Sequence, residues 1–201
     1  MQYCPYSMRV QMILAKKNVD YEIINIDLLN KPTWFMEKYP FDSFPVLEQD
    51  DILLAGSLVI AEYIDENYSK PGERTIPQDS YEKGRINMMI VDKFTKAISA
   101  IYQGLRKKEN WEENFNIHVG ELEKILETNK FFNGEELGYA DYMGHQGIDD
   151  VMSTGKFTKL EQWLKTAAQE ETIRKCDTKP EILGKFLTGY TTGTFDFDFN
   201  I

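Results

Sequence analysis

Hydrophobic periodicity changes character once along this chain, near residue 70, and the change divides it into two kinds of structure. Before that point, short β-branched and aromatic runs are interleaved with short helical ones. After it, every patterned stretch has the 3.6-residue period of an amphipathic helix. Tyr6 to Lys17 reads as a helix with Met8, Val10, Met12, Ile13 and Leu14 on a mostly apolar face, interrupted by Arg9, Gln11, Lys16 and Lys17. Pro5 suits its first position and the terminal lysines suit its negative end. Tyr21 to Ile26 (YEIINI) is β-branched and aromatic and predicts a strand. A short helix follows from Pro32 to Tyr39, and Val46–Glu48 and Ile52–Leu54 around Asp50-Asp51 predict a hairpin. Ser57 is placed to cap a helix running to Glu66.

Tyr68 to Pro77 (YSKPGERTIP) mixes proline, glycine and charge without period and reads as a linker. Beyond it, helices are expected over 80–107, 111–129, 138–152, 159–168, 172–176 and 181–190, and a Thr-, Gly- and Phe-rich loop to the end. The expected architecture is an α/β domain over 1–70 and an all-α helical bundle over 78–201. A chain of 201 residues is long enough to bury such cores without metal or disulfide staples.

Charge and cysteine content narrow the function. The formal net charge of -10 argues against a nucleic-acid partner, which needs a basic face, and against an anionic membrane surface. Two cysteines, Cys4 and Cys176, are too few for a secreted disulfide framework and point to free thiols in a reducing compartment. There is no apolar run of spanning length and no basic-then-apolar leader, so a cytoplasmic protein is expected. His118 and His145 have no ligand spacing with cysteine or with each other, so no metal is expected, and no phosphate-binding glycine loop is present.

Three places carry candidate chemistry. In Cys4-Pro5-Tyr6-Ser7 a cysteine stands just before a helix, where unsatisfied N–H groups and the helix dipole favour thiolate over thiol. Ser7 stands where a redox dithiol would carry its second cysteine. A one-thiol site cannot resolve its own mixed disulfide and needs an outside thiol, of which glutathione is the usual one. A buried inert cysteine fits the same four residues. Phe44-Pro45 opens a strand with a residue that cannot donate to a ladder, either as an ordinary edge proline or as a cis bond whose neighbour pairs with an extended ligand. Ser57 at a helix start is a plain cap or a carboxylate site.

Together these segments resemble the omega class of glutathione transferases. Ile23 to Pro40 (IINIDLLNKPTWFMEKYP) and Phe41 to Glu48 (FDSFPVLE) look like the stretch after that class's first helix, and Glu62 to Glu66 (EYIDE) like the end of its third. Pro77 to Lys83 (PQDSYEK), Phe131 to Gly134 (FFNG), Ala140-Asp141-Tyr142 and Leu160 to Leu164 (LEQWL) are similar to its helical domain. The resemblance implies a thioredoxin-like domain followed by a helical domain that contributes the electrophile pocket. It places Cys4 on the nucleophile that forms a mixed disulfide with glutathione, the co-substrate. Lys31 falls on a lysine for the glycine-end carboxylate, Phe44 on the residue whose backbone pairs with the cysteinyl part, Pro45 on the cis-proline, and Ser57 on the serine for the γ-glutamyl carboxylate. It further implies dehydroascorbate, glutathionylated thiols and methylated arsenicals as substrates, and a homodimer. Leu183, Phe186, Phe195, Phe197 and Phe199 are candidates for the electrophile pocket, and a surface-covering tail fits them equally well.

The sequence departs from the family in three places. Gly56 stands where an acidic residue usually precedes the serine. Only three residues precede Cys4, where the family has a strand in mid-sheet, so the first strand is expected to be truncated and its neighbours left unpaired. Gly138 replaces the usual Ser or Thr cap opposite Asp141. The first two departures motivate an alternative: a binding module that keeps the fold with weak or no catalysis.

Overall fold

The computed structural model describes residues 3–28, 30–40, 43–145, 148, 155–178 and 180–194. It divides into two compact units, Met1–Ser69 with Thr178–Ile201, and Lys70–Asp177. The C-terminal helix α10 (Pro180–Thr192) therefore groups with the first unit, whereas the sequence reading put it with the helical domain.

In the first unit, α1 (Pro5–Lys16) begins with proline at its first position and ends with Lys16, and it buries Met8, Val10, Met12, Ile13 and Leu14. Helix α2 (Thr33–Lys38) is short. Strands β1 (Val46–Gln49) and β2 (Ile52–Ala55) form the expected hairpin, in register Val46↔Ala55 to Gln49↔Ile52. Asp50 takes a positive φ of 50° in its turn. Helix α3 (Ser57–Tyr68) follows.

Register fixes which side of the hairpin each residue faces. Val46 and Leu53 pack with Ile26, Phe35 and Tyr39, and Glu48 accepts a hydrogen bond from Tyr39, so this face belongs to α2. On the other face, Gln49 accepts from the Tyr63 hydroxyl at 3.2 Å and donates to Tyr68 at 2.6 Å, so this face belongs to α3. Helix α3 packs in turn on α1. The hairpin thus contacts a helix on each face, with its residues half-buried and Glu48 and Ile52 exposed.

One expected element does not form. Residues 21–26 run without any ladder, and β1 and β2 are the whole sheet among the described residues. The composition of YEIINI suits a strand, but a strand exists only beside a hydrogen-bonding partner, and none of the described residues supplies one.

The second unit holds α4 (Ser80–Met89), a π-helical turn (Ile90–Phe94), α5 (Thr95–Leu105), α6 (Trp111–Thr128), α7 (Tyr139–His145), α8 (Thr158–Ala167) and α9 (Glu171–Cys176). Asp79 caps α4 by accepting the Glu82 N–H at 2.9 Å. The expected single helix over 80–107 is one rod interrupted by the π turn, in which buried Phe94 meets the Phe132 ring at 4.6 Å.

The node of this unit is Asp141, fully buried on α7. Its carboxylate accepts the N–H groups of Phe132 and Gly138, each at 2.9 Å, and the Trp163 indole N–H at 2.7 Å. Burial pushes its carboxyl above the usual range, and the N–H donors pull it back down. Asn133 accepts the Ala140 N–H at 2.7 Å, and a Cβ on residue 138 would stand 2.6 Å from Asn133 Cγ. That close approach explains glycine at the cap position. Among the described residues no helix is long and apolar enough to cross a membrane.

Candidate active site

Cys4 is the N-cap of α1, with extended backbone (φ -71°, ψ 125°), and its carbonyl accepts the Met8 N–H at 2.9 Å. The sulfur makes no capping hydrogen bond to the first turn of the helix. Cys4 is only 6% exposed, yet it lines a cavity of about 170 Å³ together with Ser7, Phe44 and Pro45. Arg9, a polar interruption in the sequence pattern, is buried and lies 5.1 Å from the Tyr6 ring centroid. Burial raises the Tyr6 hydroxyl above its ordinary range, Arg9 lowers it, and the Cys4 sulfur raises it further.

The remaining candidates form a connected strip. The Phe44–Pro45 peptide is cis. Lys31 Nζ lies 4.9 Å from the centroid of the Phe44 ring, and that ring stacks on Phe35 at 5.8 Å. The Pro45 carbonyl accepts the Gly56 N–H at 2.9 Å, which ties Pro45 to the residue before Ser57. Ser57 is the first residue of α3 rather than its cap: Gly56 holds the N-cap position, at φ 93° and ψ 132°. That backbone region is one that residues with a Cβ avoid, and it accounts for glycine there. Ser57 is 7% exposed. Of the aromatic pocket candidates, Phe186 is buried and meets Tyr3 edge-to-face at 5.8 Å. Phe195, Phe197 and Phe199 lie outside the described residues, as does the Leu183 side chain.

Sequence reasoning missed Asn25. It lines the cavity beside Cys4, and both its amide atoms are buried without a hydrogen-bond partner. Only the fold shows this, because the sequence presents Asn25 as one polar residue in an apolar run.

Residues 1–72 match the family model for the glutathione S-transferase N-terminal domain, and residues 91–183 match that for the glutathione S-transferase C-terminal domain. Human glutathione S-transferase omega-2 is 34% identical over 216 aligned residues, which cover 98% of this chain and 87% of the relative. The chain belongs to the glutathione S-transferase family. Rat glutathione S-transferase omega-1 is 36% identical over 151 residues, covering 71% of this transferase and 61% of the relative. Among solved structures, glutathione transferase Omega 2C from Trametes versicolor superposes with a TM-score of 0.72 at 21% identity, covering 94% of this chain and 96% of that one. That likeness is one of fold: a small sheet unit followed by helices. The family is one of glutathione-dependent enzymes, and the transferase fold accounts for both units described above.

Proposed function

We propose that this transferase performs omega-type thiol transfer: glutathione-dependent reduction through a mixed disulfide on Cys4. The observation that carries the reading is that Cys4, at the start of α1, lines one cavity with Phe44 and the cis Pro45. In deglutathionylation the Cys4 thiolate attacks the glutathione sulfur of a mixed disulfide R–S–SG. The S–S bond of the mixed disulfide breaks, RS⁻ leaves and takes a proton, and a new disulfide forms between the Cys4 sulfur and the glutathionyl sulfur. A second glutathione thiolate then attacks the glutathionyl sulfur and returns the Cys4 thiolate with oxidised glutathione as product. Ser7, three residues on, offers no second thiol to compete for that step. For dehydroascorbate or a methylarsonate-type centre, two glutathione thiols become one oxidised glutathione, and the two electrons and two protons they give up reduce the substrate.

In this reading Ser57, at the start of the twelve-residue helix α3, takes the γ-glutamyl carboxylate, where a helix N-terminus favours an anion. Lys31, beside Phe44, takes the glycine-end carboxylate. Phe44, before the cis bond, offers its backbone to the cysteinyl part. Exposed Tyr81, Met88 and Val91 give the helical unit an apolar face suited to a homodimer, and the expected setting is the cytoplasm.

The deciding experiment measures glutathione-dependent dehydroascorbate reduction in the wild type and in Cys4→Ala. Loss of about 10³-fold or more in the variant is expected for a removed nucleophile, with glutathione found on Cys4 by peptide mass. A variant that keeps the full rate overturns the mechanism. Light scattering at micromolar concentration checks the dimer.

A further inference from the structure

Arg9 is the charged residue that α1 buries, at 2% exposure, and the mechanism above leaves it without a task. Its Cζ lies 5.1 Å from the centroid of the Tyr6 ring, one turn nearer the head of the helix. We infer that Arg9 is a positioning residue for the nucleophile: its guanidinium is the fixed positive charge that steadies the Cys4 sulfur as a thiolate, both when the sulfur attacks and when it is expelled. This role rests on the mixed-disulfide reading and adds a second residue of α1 to it.

Helix geometry brings the charge within reach. Side chains on a helix lean towards its N-terminus, so a long one covers the turn before it. Arg9 stands five residues after Cys4, a rise on the order of 8 Å. Its contact with Tyr6 shows that the side chain runs back along that rise. The Tyr6 hydroxyl feels both groups, since the Arg9 charge lowers it and the Cys4 sulfur raises it. Cys4, Tyr6 and Arg9 are therefore one electrostatic cluster on the first turns of α1.

Magnitude says why a thiolate needs it. The sulfur makes no capping hydrogen bond. The dipole of a helix favours an anion at its head by about two- to fivefold. A full charge about 8 Å away, at an effective dielectric constant of about 20, shifts the balance between thiol and thiolate by about thirtyfold. Arginine suits the place because it keeps its charge at every working pH, whereas a buried lysine loses its proton more readily. A cation in the N-terminal half of a helix opposes the dipole, and an anion at Cys4 offsets that cost. Helix α1 itself carries no acidic residue.

The other charges around α1 are placed for other work. Helix α3, packed on α1, brings Glu62, Asp65 and Glu66, and Asp65 is held by Lys17 at 2.7 Å. Lys17 stands eight residues beyond Arg9, about 12 Å further from the head of the helix. Lys31 lies over the Phe44 ring, and in the reading above the glycine-end carboxylate of glutathione matches its charge. Arg9 keeps its charge beside Cys4 whether glutathione is bound or not.

Alkylation of Cys4 by iodoacetamide, without glutathione, is measured on the full chain from about pH 5 to about pH 10, reading the Cys4 peptide by mass. Arg9→Gln is expected to move the rate–pH curve up by at least about one unit, a tenfold loss at the acid end with the same plateau at the alkaline end. Glutathione-dependent deglutathionylation near neutral pH should fall with it, and Arg9→Lys should recover at least half of the shift. An Arg9→Gln curve that coincides with the wild type overturns the proposal. So does a loss that is equal at every pH, because a packing role carries no pH signature, and so does an Arg9→Lys curve no better than that of Arg9→Gln. Where Arg9→Gln does not fold by circular dichroism, the wild type decides: the Arg9 Nε–H resonance should move in step with ionisation of Cys4 and stand still in Cys4→Ala. A resonance that ignores Cys4 overturns the proposal. These outcomes bear on Arg9 alone, because alkylation needs no glutathione; the mixed-disulfide mechanism fails separately, if Cys4→Ala keeps its rate.

Discussion

Lys17 and Asp65 form an ion pair at 2.7 Å with side chains 1% and 0% exposed, joining the end of α1 to α3. These are the two helices whose N-terminal ends carry Cys4 and Ser57. Asp65 Oδ1 also lies 3.4 Å from the Ser69 hydroxyl.

Removing one partner of this pair leaves a buried charge uncompensated, and the cost of that exceeds the net worth of the pair. Lys17→Met is expected to destabilise the protein by about 3 to 5 kcal/mol. Lys17→Met combined with Asp65→Leu should recover most of that loss. Urea unfolding of the two variants checks this. A double variant as unstable as the single one would show that Asp65 is not stranded by losing Lys17.

The two thiols should respond differently to alkylation. Burial first, then Asp177 and Glu170, push the Cys176 thiol up to about 11. Its thiolate fraction therefore rises about tenfold per pH unit across pH 7 to 10, so iodoacetamide should leave it nearly untouched at pH 7 and label it progressively above pH 9. Labelling of Cys4 should be blocked by bound glutathione, and labelling of Cys176 should not. Peptide mass spectrometry of the labelled protein separates the two sites; protection at Cys176 alone would place glutathione elsewhere.

Gly56 is where family pattern and local geometry pull apart. A Cβ on residue 56 meets nothing within 4 Å, yet its φ of 93° disfavours any side chain. Gly56→Glu is expected to lower stability by about 1 to 3 kcal/mol through backbone strain. By giving the γ-glutamyl ammonium a carboxylate, it should also tighten glutathione about three- to tenfold. Calorimetric titration beside thermal unfolding reads both effects. Unchanged affinity would mean that the amine does not lie near residue 56.

Asp141 should matter for stability rather than for chemistry. Asp141→Ala strands the N–H groups of Phe132, Gly138 and Trp163 in a buried site, each at about 1 to 3 kcal/mol. A loss of about 3 kcal/mol or more is expected in denaturant unfolding, with altered Trp163 emission in the folded protein. A loss below about 1 kcal/mol would mean that water reaches the site.

Much of the fold was legible in the sequence because it is local. The apolar face of α1, the hairpin around Asp50-Asp51 and the helical succession after Pro77 each depend on residues within a few positions of one another. The candidate residues were legible one at a time, as a cysteine before a helix, a proline opening a strand and a serine starting a helix. That Phe44 and Pro45 share a wall with Cys4, or that Lys31 lies over Phe44, involves residues some 13 to 40 positions apart, beyond the reach of periodicity.

What the sequence by itself determined is the change from mixed to purely helical pattern, the placement of most helices and the position of the thiol at the head of α1. Each of these follows from backbone preference and from which face of a local element is apolar. Tertiary structure alone decided that residues 21–26 lie without a ladder, that Arg9 and the amide atoms of Asn25 are buried, that Ser57 follows the cap instead of forming it and that α10 groups with the first unit. These outcomes depend on neighbours brought in from distant parts of the chain. A strand in particular is a relation between two segments, and no single segment carries it.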